Sequence, residues 1–470
     1  MPILAAYLTP HPPLILKEIG RGEEKKVKST IEAMEKISKK IASLKPQTII
    51  VISPHGPLFS DGISIMYEKE LIGDFNKFGE YTINYQREND IELIDRFTKI
   101  MKEKYRLSGA LIDKKTAKHF RTSFELDHGT LVPLYFVDKE YKSYELIAIT
   151  YGMLSYQDLY KVGMALSDAV EEIERDVVVI ASGDLSHRLK DSGPYDYNPA
   201  GEIFDEKILE LLVNKRNTEI IAMDPEFCEE AGECGKRSID ILLGTLDSYD
   251  YDVEKLSYEG PFGVGYGVVS FENLRPDDES LVEDIEKTRM EYVKEAMDKE
   301  DGFVKLARDT INLFVKSKER LNFKESEYYK IDDLKSIKKG VFVSIKDSGG
   351  LRGCIGTFLP TRHCIGEEIV ENAISAATRD PRFSAIEAYE LNDLIITVDV
   401  LNTPKGVQDK SELDPLTYGV IVTSDYKRGL LLPNLKGIDT VEKQLKIALN
   451  KAGIDVRENY TIEKFTITRH

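Results

Sequence analysis

The chain has 470 residues, of which 41% are hydrophobic and 31% are charged, and its net charge is −18. This length allows two or three domains, and the acidic balance argues against a general nucleic-acid binder because phosphate backbones would be repelled. No run of about 18 apolar residues predicts a transmembrane helix, and the N-terminus lacks the basic region of a signal peptide. Four cysteines are too few for a disulfide scaffold, so we expect free thiols in the cytoplasm.

The first strand–helix–strand unit carries two histidines. Residues 3–8 predict a short buried strand that ends before Thr9-Pro10-His11, and residues 22–43 have the apolar spacing of an amphipathic helix. Residues 48–52 predict a second buried strand, which stops at a proline and presents His55. A right-handed crossover places His11 and His55 at the same edge of one sheet, where open α/β sheets bind ligands.

Two further histidines follow the same pattern. Residues 125–129 read Glu-Leu-Asp-His-Gly, and His128 lies at the start of a helix or a tight loop. Residues 145–151 and 176–181 predict buried strands, and the second strand leads into Ser-Gly-Asp-Leu-Ser-His, ending at His187. Three of these four histidines therefore follow apolar strands directly. Imidazole is a common metal ligand and a general base near neutral pH.

An anionic third ligand is available at Glu233 or Cys234. These residues lie at or before the start of a helix predicted over residues 238–246, where the positive helix end favours a carboxylate or a thiolate. Two histidines and one anion with open coordination positions suit non-haem Fe(II) and oxygen chemistry. The alternative interpretation is that the histidines cap turns and that Cys234 is an inert core residue.

These motifs resemble a known family. His11 in TPHPP, His55 in SPHGP, His128 in DHGTLVPL and His187 in SGDLSH are similar to the active-site motifs of class III extradiol ring-cleavage dioxygenases, the LigB-like family. The segment ECGKRSI, with Cys234, also resembles the related Memo family, which shares that fold. The resemblance covers roughly residues 1–275.

The resemblance implies roles for these residues. His11 and His55 would be metal ligands, and His187 and His128 would be acid/base groups that deprotonate a catechol and handle the oxygen intermediate. Asp184 would orient or assist His187. The third ligand is Glu in the dioxygenases, whereas the Memo pattern places Cys at Cys234. A thiolate is softer and oxidisable, so Zn²⁺ or Cu⁺ would suit the site as well as Fe²⁺.

The second half of the chain predicts a separate domain. Residues 276–285 lie in a polar, acidic, proline-containing stretch that predicts a linker, and residues 286–470 follow as a smaller domain. Helices are predicted over 286–299, 303–315, 367–378 and 441–452, and strands over 340–346, 394–401, 420–423, 429–432 and 460–467. This mixture is typical of an α+β fold.

A second resemblance covers residues 285–470. The LRGCIG segment, the downstream ATRDPRFSAI and the RGLLLP run are similar to the AMMECR family, which implies a fold but no settled reaction. A site is predicted at four polar or reactive groups in apolar surroundings, where two arginines could lower the pKa of a thiol and bind an anion: Arg352, Cys354, Asp380 and Arg382. The alternative is an Arg–Asp pair that locks a turn beside a packed Cys354.

The fold expected is an α/β N-terminal domain with a mostly parallel central sheet flanked by helices, plus a smaller α+β C-terminal domain. The function expected is a metal-dependent oxidoreductase, with iron as the metal, acting on a small-molecule substrate. The alternative is a metal-binding component of a modification system. Members of the two families that the chain resembles are associated with a radical-SAM enzyme, as the compound name AmmeMemoRadiSam implies, so the resemblance implies a radical-SAM partner protein. This chain has no CxxxCxxC motif, so radical chemistry would belong to the partner. A zinc hydrolase is a third alternative. The sequence leaves the oligomeric state open.

Overall fold

The computed structural model describes residues 2–277, 279–347, 350–433, 438 and 440–470. The chain divides into two compact units, Met1–Thr288 and Arg289–His470. Within the described ranges every helix is too short or too polar to cross a lipid bilayer.

The N-terminal unit is built on one eight-stranded mixed sheet with the strand order β6-β3-β7-β2-β8-β1-β10-β9. A separate two-stranded hairpin pairs β4 with β5. The strands are β1 (Ile3–Thr9), β2 (Thr48–Ser53), β3 (Ile63–Met66), β4 (Glu70–Asp74), β5 (Asn84–Glu88), β6 (Gly109–Ile112), β7 (Glu145–Thr150), β8 (Val177–Ser182), β9 (Tyr249–Glu259) and β10 (Tyr266–Pro276).

Helices cover both faces of this sheet and form two apolar cores. Helices α3, α6, α7 and α10 contribute to the core on one face, and α2 and α5 contribute to the core on the other. The helices of this unit are α1 (Lys17–Gly20), α2 (Lys28–Leu44), α3 (Ile91–Glu103), α4 (Lys114–Phe120), α5 (His128–Glu140), α6 (Tyr156–Glu172), α7 (Pro199–Val213), α8 (Asn217–Ile221), α9 (Pro225–Ala231) and α10 (Lys236–Thr245).

The centre of the sheet confirms the predicted α/β class. Strands β7, β2, β8 and β1 are neighbours and run parallel, and β2 and β8 are buried along their whole length. Strands buried on both faces have no polar face to present, which is why their sequences are continuous apolar runs. Because the four strands are parallel, their carboxyl ends meet at one edge, and β8 lies between β1 and β2.

The edges of the sheet were not predicted. Strand β9 lies at the outer edge of the sheet and mixes buried with exposed residues, and the sequence analysis predicted no strand over its residues. Residues 22–43 were predicted as one helix, whereas a short 3-10 segment, Glu23–Val27, precedes α2. The ambiguous segment around His128 is the start of α5, which contains Pro133 in its interior.

The C-terminal unit is an α+β fold with two antiparallel four-stranded sheets, of order β12-β11-β13-β18 and β14-β17-β15-β16. Its strands are β11 (Val341–Asp347), β12 (Gly350–Thr357), β13 (Ile395–Leu401), β14 (Lys405–Gly406), β15 (Gly419–Ser424), β16 (Lys427–Leu431), β17 (Thr461–Phe465) and β18 (Ile467–Arg469). The single closing strand predicted over residues 460–467 is therefore two strands, one in each sheet.

The remaining helices begin with α11 (Val282–Asp298), which crosses the division between the two units. They continue with α12 (Gly302–Ser317), α13 (Asp332–Ser336), α14 (Ile365–Thr378) and α15 (Val441–Ala452). The predicted linker over residues 276–285 overlaps the end of β10 and the start of α11, and Asp278 within it lies outside the described residues. The domain bounds 1–275 and 286–470 stay a prediction.

Candidate metal centre

His11 lies two residues after β1 and is almost completely buried. Prolines on both sides end the strand, and the backbone N–H of His11 donates to Asp184 Oδ1 at 2.9 Å. This bond ties the loop after β1 to the loop after β8, so the imidazole has a fixed place at the carboxyl edge of the sheet.

Three ligand-type atoms from distant parts of the chain converge here. Nε2 of His11 lies 2.9 Å from Nε2 of His55 and 3.7 Å from Sγ of Cys234. The ligand atoms of these three residues all lie within 4.8 Å of one another. The structure thus brings together the residues that the sequence analysis assigned as ligands, and His55 is the most exposed of the three.

The hydroxyl of Ser182 fixes the tautomer of His11. Ser182 Oγ lies 2.5 Å from the carbonyl oxygen of Gly129 and 3.0 Å from Nδ1 of His11. A carbonyl can only accept, so the single hydroxyl hydrogen points to Gly129, and the Ser182 oxygen accepts from Nδ1–H. The lone pair of the neutral ring is then on Nε2, the atom that faces His55 and Cys234.

His11 is held in this neutral form. Burial lowers the pKa of its imidazole well below the usual value, and the neighbouring His55, His128 and His187 lower it further. Burial also lowers the pKa of His55, against the opposing charge of Asp127. Neutral imidazoles are the form that binds a metal, so both rings are ready to act as ligands.

Cys234 makes two hydrogen bonds with the backbone of Asp184. The Cys234 N–H donates to the Asp184 carbonyl at 3.2 Å, and the Asp184 N–H donates to Cys234 Sγ at 3.3 Å. The expectation that the helix end would favour a thiolate was wrong for the protein alone: burial raises the pKa of the Cys234 thiol well above its usual value, and Asp184 and Glu233 add to the effect. A bound cation would reverse that balance.

Glu233, the other candidate for the third ligand, has a different role in this structure. Its Oε2 accepts a hydrogen bond from the backbone N–H of Lys236 at 2.6 Å, at the first turn of α10. Burial raises the pKa of Glu233 to about 7. Within the described ranges, the group of three converging donors contains Cys234 and not Glu233.

His128 lies beside the converging donors at the first position of α5. The N-cap residue Asp127 accepts from the N–H of Thr130 at 3.2 Å, which fixes the helix start. The His128 ring stacks on His55 with centroids 4.1 Å apart, and it lies 5.5 Å from the His11 ring. Burial, followed by His55, lowers the pKa of His128 to about 4, so its imidazole is neutral at pH 7 and can accept a proton.

His187 is oriented by a carbonyl rather than by a carboxylate. Its Nδ1 lies 2.7 Å from the Gly232 oxygen, so Nδ1–H donates and the lone pair is on Nε2. Asp184 was expected to orient His187, but its carboxyl group accepts a hydrogen bond from the backbone N–H of His11 instead. Burial raises the pKa of Asp184 to about 7 and lowers that of His187.

Sequence reasoning missed the residues that support these side chains. Ser53 Oγ donates to Asp127 Oδ1 at 2.5 Å and accepts from the His55 N–H at 3.2 Å. Asp205, from α7, accepts from the Ser186 N–H at 2.7 Å and holds the loop that carries His187. Ser53 and Asp127 adjoin the histidine motifs and could have been found there, whereas nothing in the sequence marks Asp205.

The donor set fits a transition-metal ion. Two imidazole groups and one sulfur, with an exposed His55 on the open side, are ligands that Fe²⁺, Zn²⁺ and Cu⁺ accept. Because Nε2 of His11 carries a lone pair, the 2.9 Å contact is a hydrogen bond that Nε2–H of His55 donates, and His55 must change its tautomer or turn its ring to bind a shared ion through Nε2.

The C-terminal unit brings together three of its four predicted site residues. The backbone N–H of Cys354 donates to Asp380 Oδ2 at 2.9 Å, and the hydroxyl of Ser344 donates to Cys354 Sγ at 3.2 Å. Arg382 makes a two-pronged pair with Asp380, through Nε at 3.0 Å and Nη2 at 2.7 Å. The Arg382 hydrogen bonds lower the pKa of Asp380 to about 2.

Arg352 has a separate partner. Its guanidinium pairs with Glu390, through Nε at 3.1 Å and Nη2 at 2.9 Å, and donates to the Ser384 carbonyl at 2.8 Å. The interpretation with two arginines beside one thiol was therefore wrong for Arg352. The contacts of Arg382 and Asp380 instead favour the alternative, in which an Arg–Asp pair locks the turn after α14.

Fold and site together define an α/β domain with a candidate metal centre, joined to an α+β domain. Residues 5–269 match the family described as the catalytic LigB subunit of aromatic ring-opening dioxygenase, and residues 304–470 match the AMMECR1 family. A protein of Clostridium acetobutylicum is 45% identical over 464 residues, which cover 99% of this chain and 98% of that protein. The chain belongs to the LigB family and carries an AMMECR1 domain.

Two other similarities cover less of the chain. A protein of Thermotoga maritima is 50% identical over 141 residues, which are 30% of this chain and 81% of that protein. The crystal structure of an uncharacterized protein from Escherichia coli K12 is 16% identical with a TM-score of 0.38, covering 57% of this chain and 99% of that chain.

Proposed function

We propose that the N-terminal domain is a metal-dependent oxidoreductase of the extradiol dioxygenase type, with Fe²⁺ held by His11, His55 and Cys234. The observation that carries the proposal is the convergence of these three donors within 4.8 Å, next to two further neutral histidines. When bound, iron would supply open coordination positions for a small phenolic substrate and dioxygen.

The chain's own residues account for proton transfer. His187 has its Nδ1–H engaged by Gly232, so its free Nε2 accepts the proton of a substrate hydroxyl. His128, kept neutral by its lowered pKa and stacked on His55, is the second proton acceptor. Phe78 lies 5.2 Å from His128 and Tyr195 lies 5.8 Å from His187, so aromatic rings flank both bases.

Oxygen uptake tests this activity directly. The protein loaded anaerobically with Fe²⁺ is mixed with a panel of catechols, and we expect substrate-dependent oxygen consumption that His187→Gln lowers by about 100-fold or more. The His187→Gln protein should keep its full iron content, because His187 is not a proposed ligand. Bound iron without turnover of any catechol would contradict the ring-cleavage proposal.

Cys234 favours a second candidate function, a metal-binding component of a modification system without dioxygenase activity. In that function a radical-SAM partner protein would carry out the radical chemistry. Metal content distinguishes the ligand sets: we expect His55→Ala and Cys234→Ser to lose the metal and Glu233→Gln to keep it. The reverse result for Cys234 and Glu233 would restore the two-histidine, one-carboxylate set and favour the dioxygenase. Zn²⁺ or Cu⁺ in the protein purified without added metal would favour the second candidate.

A further inference from the structure

Three arginines of the C-terminal unit converge on one carboxylate, Glu371, in the middle of α14. Arg320 and Arg362 both donate through Nη2 to Oε2 of Glu371, the second at 2.8 Å, and Arg379 donates through Nη2 to Oε1 at 3.2 Å. We call these four residues the arginine cluster. The three arginines come from the loop after α12, the loop before α14 and the end of α14.

The arginine cluster has an unbalanced positive charge. Three guanidinium groups share one carboxylate, and the hydrogen bond from Arg320 is the main reason that the pKa of Glu371 is lowered. The buried carboxylate of Glu368 accepts from the backbone N–H of Arg362, so three guanidinium groups stand against two carboxylates. The cluster is therefore a positive spot on a chain whose net charge is −18, and it should attract small anions.

The arginines are accessible while their shared carboxylate is not. The side chains of Arg320, Arg362 and Arg379 are 54%, 47% and 57% exposed, against 17% for Glu371. Each guanidinium contacts Glu371 through Nη2. Since a guanidinium has five N–H donors, each arginine keeps donors directed away from Glu371 for a ligand in solution.

The backbone that carries the arginine cluster is held in place. Glu368 is fully buried, and its carboxylate accepts from the backbone N–H groups of Thr361 and Arg362 at 2.9 and 2.8 Å. It also accepts from the hydroxyl groups of Thr357 and Thr361. The N–H of Arg379 donates to the Ser375 carbonyl at the end of α14. A ligand would therefore meet arginines whose backbone is already ordered.

We propose that the arginine cluster binds the phosphate group of a small phosphate-bearing molecule. Guanidinium groups match phosphate oxygens in a two-pronged geometry, and the excess positive charge of the cluster favours an anionic ligand. A long nucleic acid is disfavoured by the net charge of −18. The site is independent of the function proposed for the N-terminal domain.

Calorimetric titration of the full chain with inorganic pyrophosphate, at fixed ionic strength, tests the proposal. We expect Arg362→Gln and Arg379→Gln to weaken binding by about threefold to tenfold each. Glu371→Gln should tighten binding, because it removes the carboxylate that competes with the ligand. Arg457→Gln is the matched control, since Arg457 is an exposed arginine that pairs with Asp455 elsewhere in the unit, and it should bind like the wild type.

The opposite signs expected for the arginine and glutamate variants separate a binding site from a merely structural ion-pair network. Weakened binding in Glu371→Gln, or unchanged binding in both arginine variants, would overturn the proposal. The same holds if the wild type does not bind millimolar pyrophosphate, or if a single-stranded RNA oligonucleotide binds and pyrophosphate does not compete. Circular dichroism of each variant confirms that the fold is kept.

Discussion

Ser182 accepts a hydrogen bond from His11, with Oγ 3.0 Å from Nδ1, because its own hydrogen is donated to the Gly129 carbonyl. This relationship links three elements: the loop after β1, the end of β8 and the first turn of α5. It fixes the lone pair of His11 on Nε2, the atom that the proposed metal ion would use.

The first prediction concerns this hydroxyl. In Ser182→Ala the Gly129 carbonyl and His11 Nδ1 lose their partner, so His11 can adopt the tautomer with hydrogen on Nε2. We expect the affinity for Zn²⁺ or Fe²⁺ to fall by about 10- to 100-fold, measured by competition with a chromophoric chelator. Ser38→Ala, at a buried serine on α2 that donates to the Met34 carbonyl, should leave the affinity unchanged. Equal affinity in wild type and Ser182→Ala would contradict the role assigned to the hydroxyl.

The second prediction concerns the contact between α6 and α10. A Cβ added at Gly244 would lie 1.9 Å from the Tyr160 carbonyl oxygen, and one added at Gly163 would lie 2.0 Å from the Ile241 carbonyl oxygen. Gly244→Ala must push the two helices apart, and we expect it to destabilise the N-terminal unit by about 3 kcal/mol. Because α10 begins two residues after Cys234, the shift should also weaken metal binding. Urea unfolding and chelator competition measure the two effects.

Gly453→Ala is a useful comparison for that variant. Gly453 ends α15 at a φ of 65° with open space around it, so the substitution introduces backbone strain but no clash. It should cost about 1 kcal/mol and leave metal binding unchanged. A metal affinity that falls equally in both variants would show that α6–α10 packing does not position Cys234.

The third prediction concerns a buried ion pair behind the candidate metal centre. Lys236 and Asp240 are both fully buried and paired within α10, and the Lys236 ammonium lies 3.8 Å from the centre of the Tyr156 ring. Lys236→Met leaves the Asp240 carboxylate without its partner, and we expect a loss of about 3–5 kcal/mol. In Lys236→Met/Asp240→Leu neither charge of this pair stays buried, so most of the loss should be recovered. Urea unfolding measures both variants, and a double variant no better than the single one would contradict this account.

The central parallel strands and the meeting of His11 with His55 could be predicted because the signal is local. An apolar run that stops at a proline before a histidine, as at Ser53 and His55, indicates both a buried strand and its functional end. The chain crossover then brings His11 and His55 to the same edge without any knowledge of side-chain contacts.

Other features depend on tertiary packing and have no local signal. The burial that keeps the Cys234 thiol protonated outweighs the helix end, and sequence alone does not give the size of that effect. A glycine inside a helix, such as Gly163, lowers the predicted stability of that helix. The reason for the glycine is the close approach of α10, which the sequence does not show. The prediction that Arg352 acts on the Cys354 thiol was wrong because Arg352 pairs with Glu390, which is 38 residues away and is connected to it by no motif.

The last prediction concerns the pH dependence of the Asp380–Arg382 pair. Arg382 lowers the pKa of Asp380 to about 2 in the folded protein, below the value of about 4 for an unfolded chain. A depressed carboxyl pKa contributes stability that is complete above about pH 4 and is lost as the pH falls towards 2. Arg382→Gln should therefore destabilise the C-terminal unit by about 1 kcal/mol at pH 7, which is measured as a lower melting temperature. The difference from wild type should shrink below about pH 4.

Arg457→Gln provides a matched control for this variant, because Arg457 also pairs with an aspartate two residues away, Asp455, whose pKa is likewise lowered to about 2. The two carboxylates differ in exposure: the Asp380 side chain is 2% exposed and that of Asp455 is 47% exposed. Water and salt screen the exposed pair, so we expect Arg457→Gln to change the melting temperature little at any pH. Equal effects of the two substitutions would show that burial of Asp380 does not strengthen its pair with Arg382, and that the turn after α14 is held by other contacts.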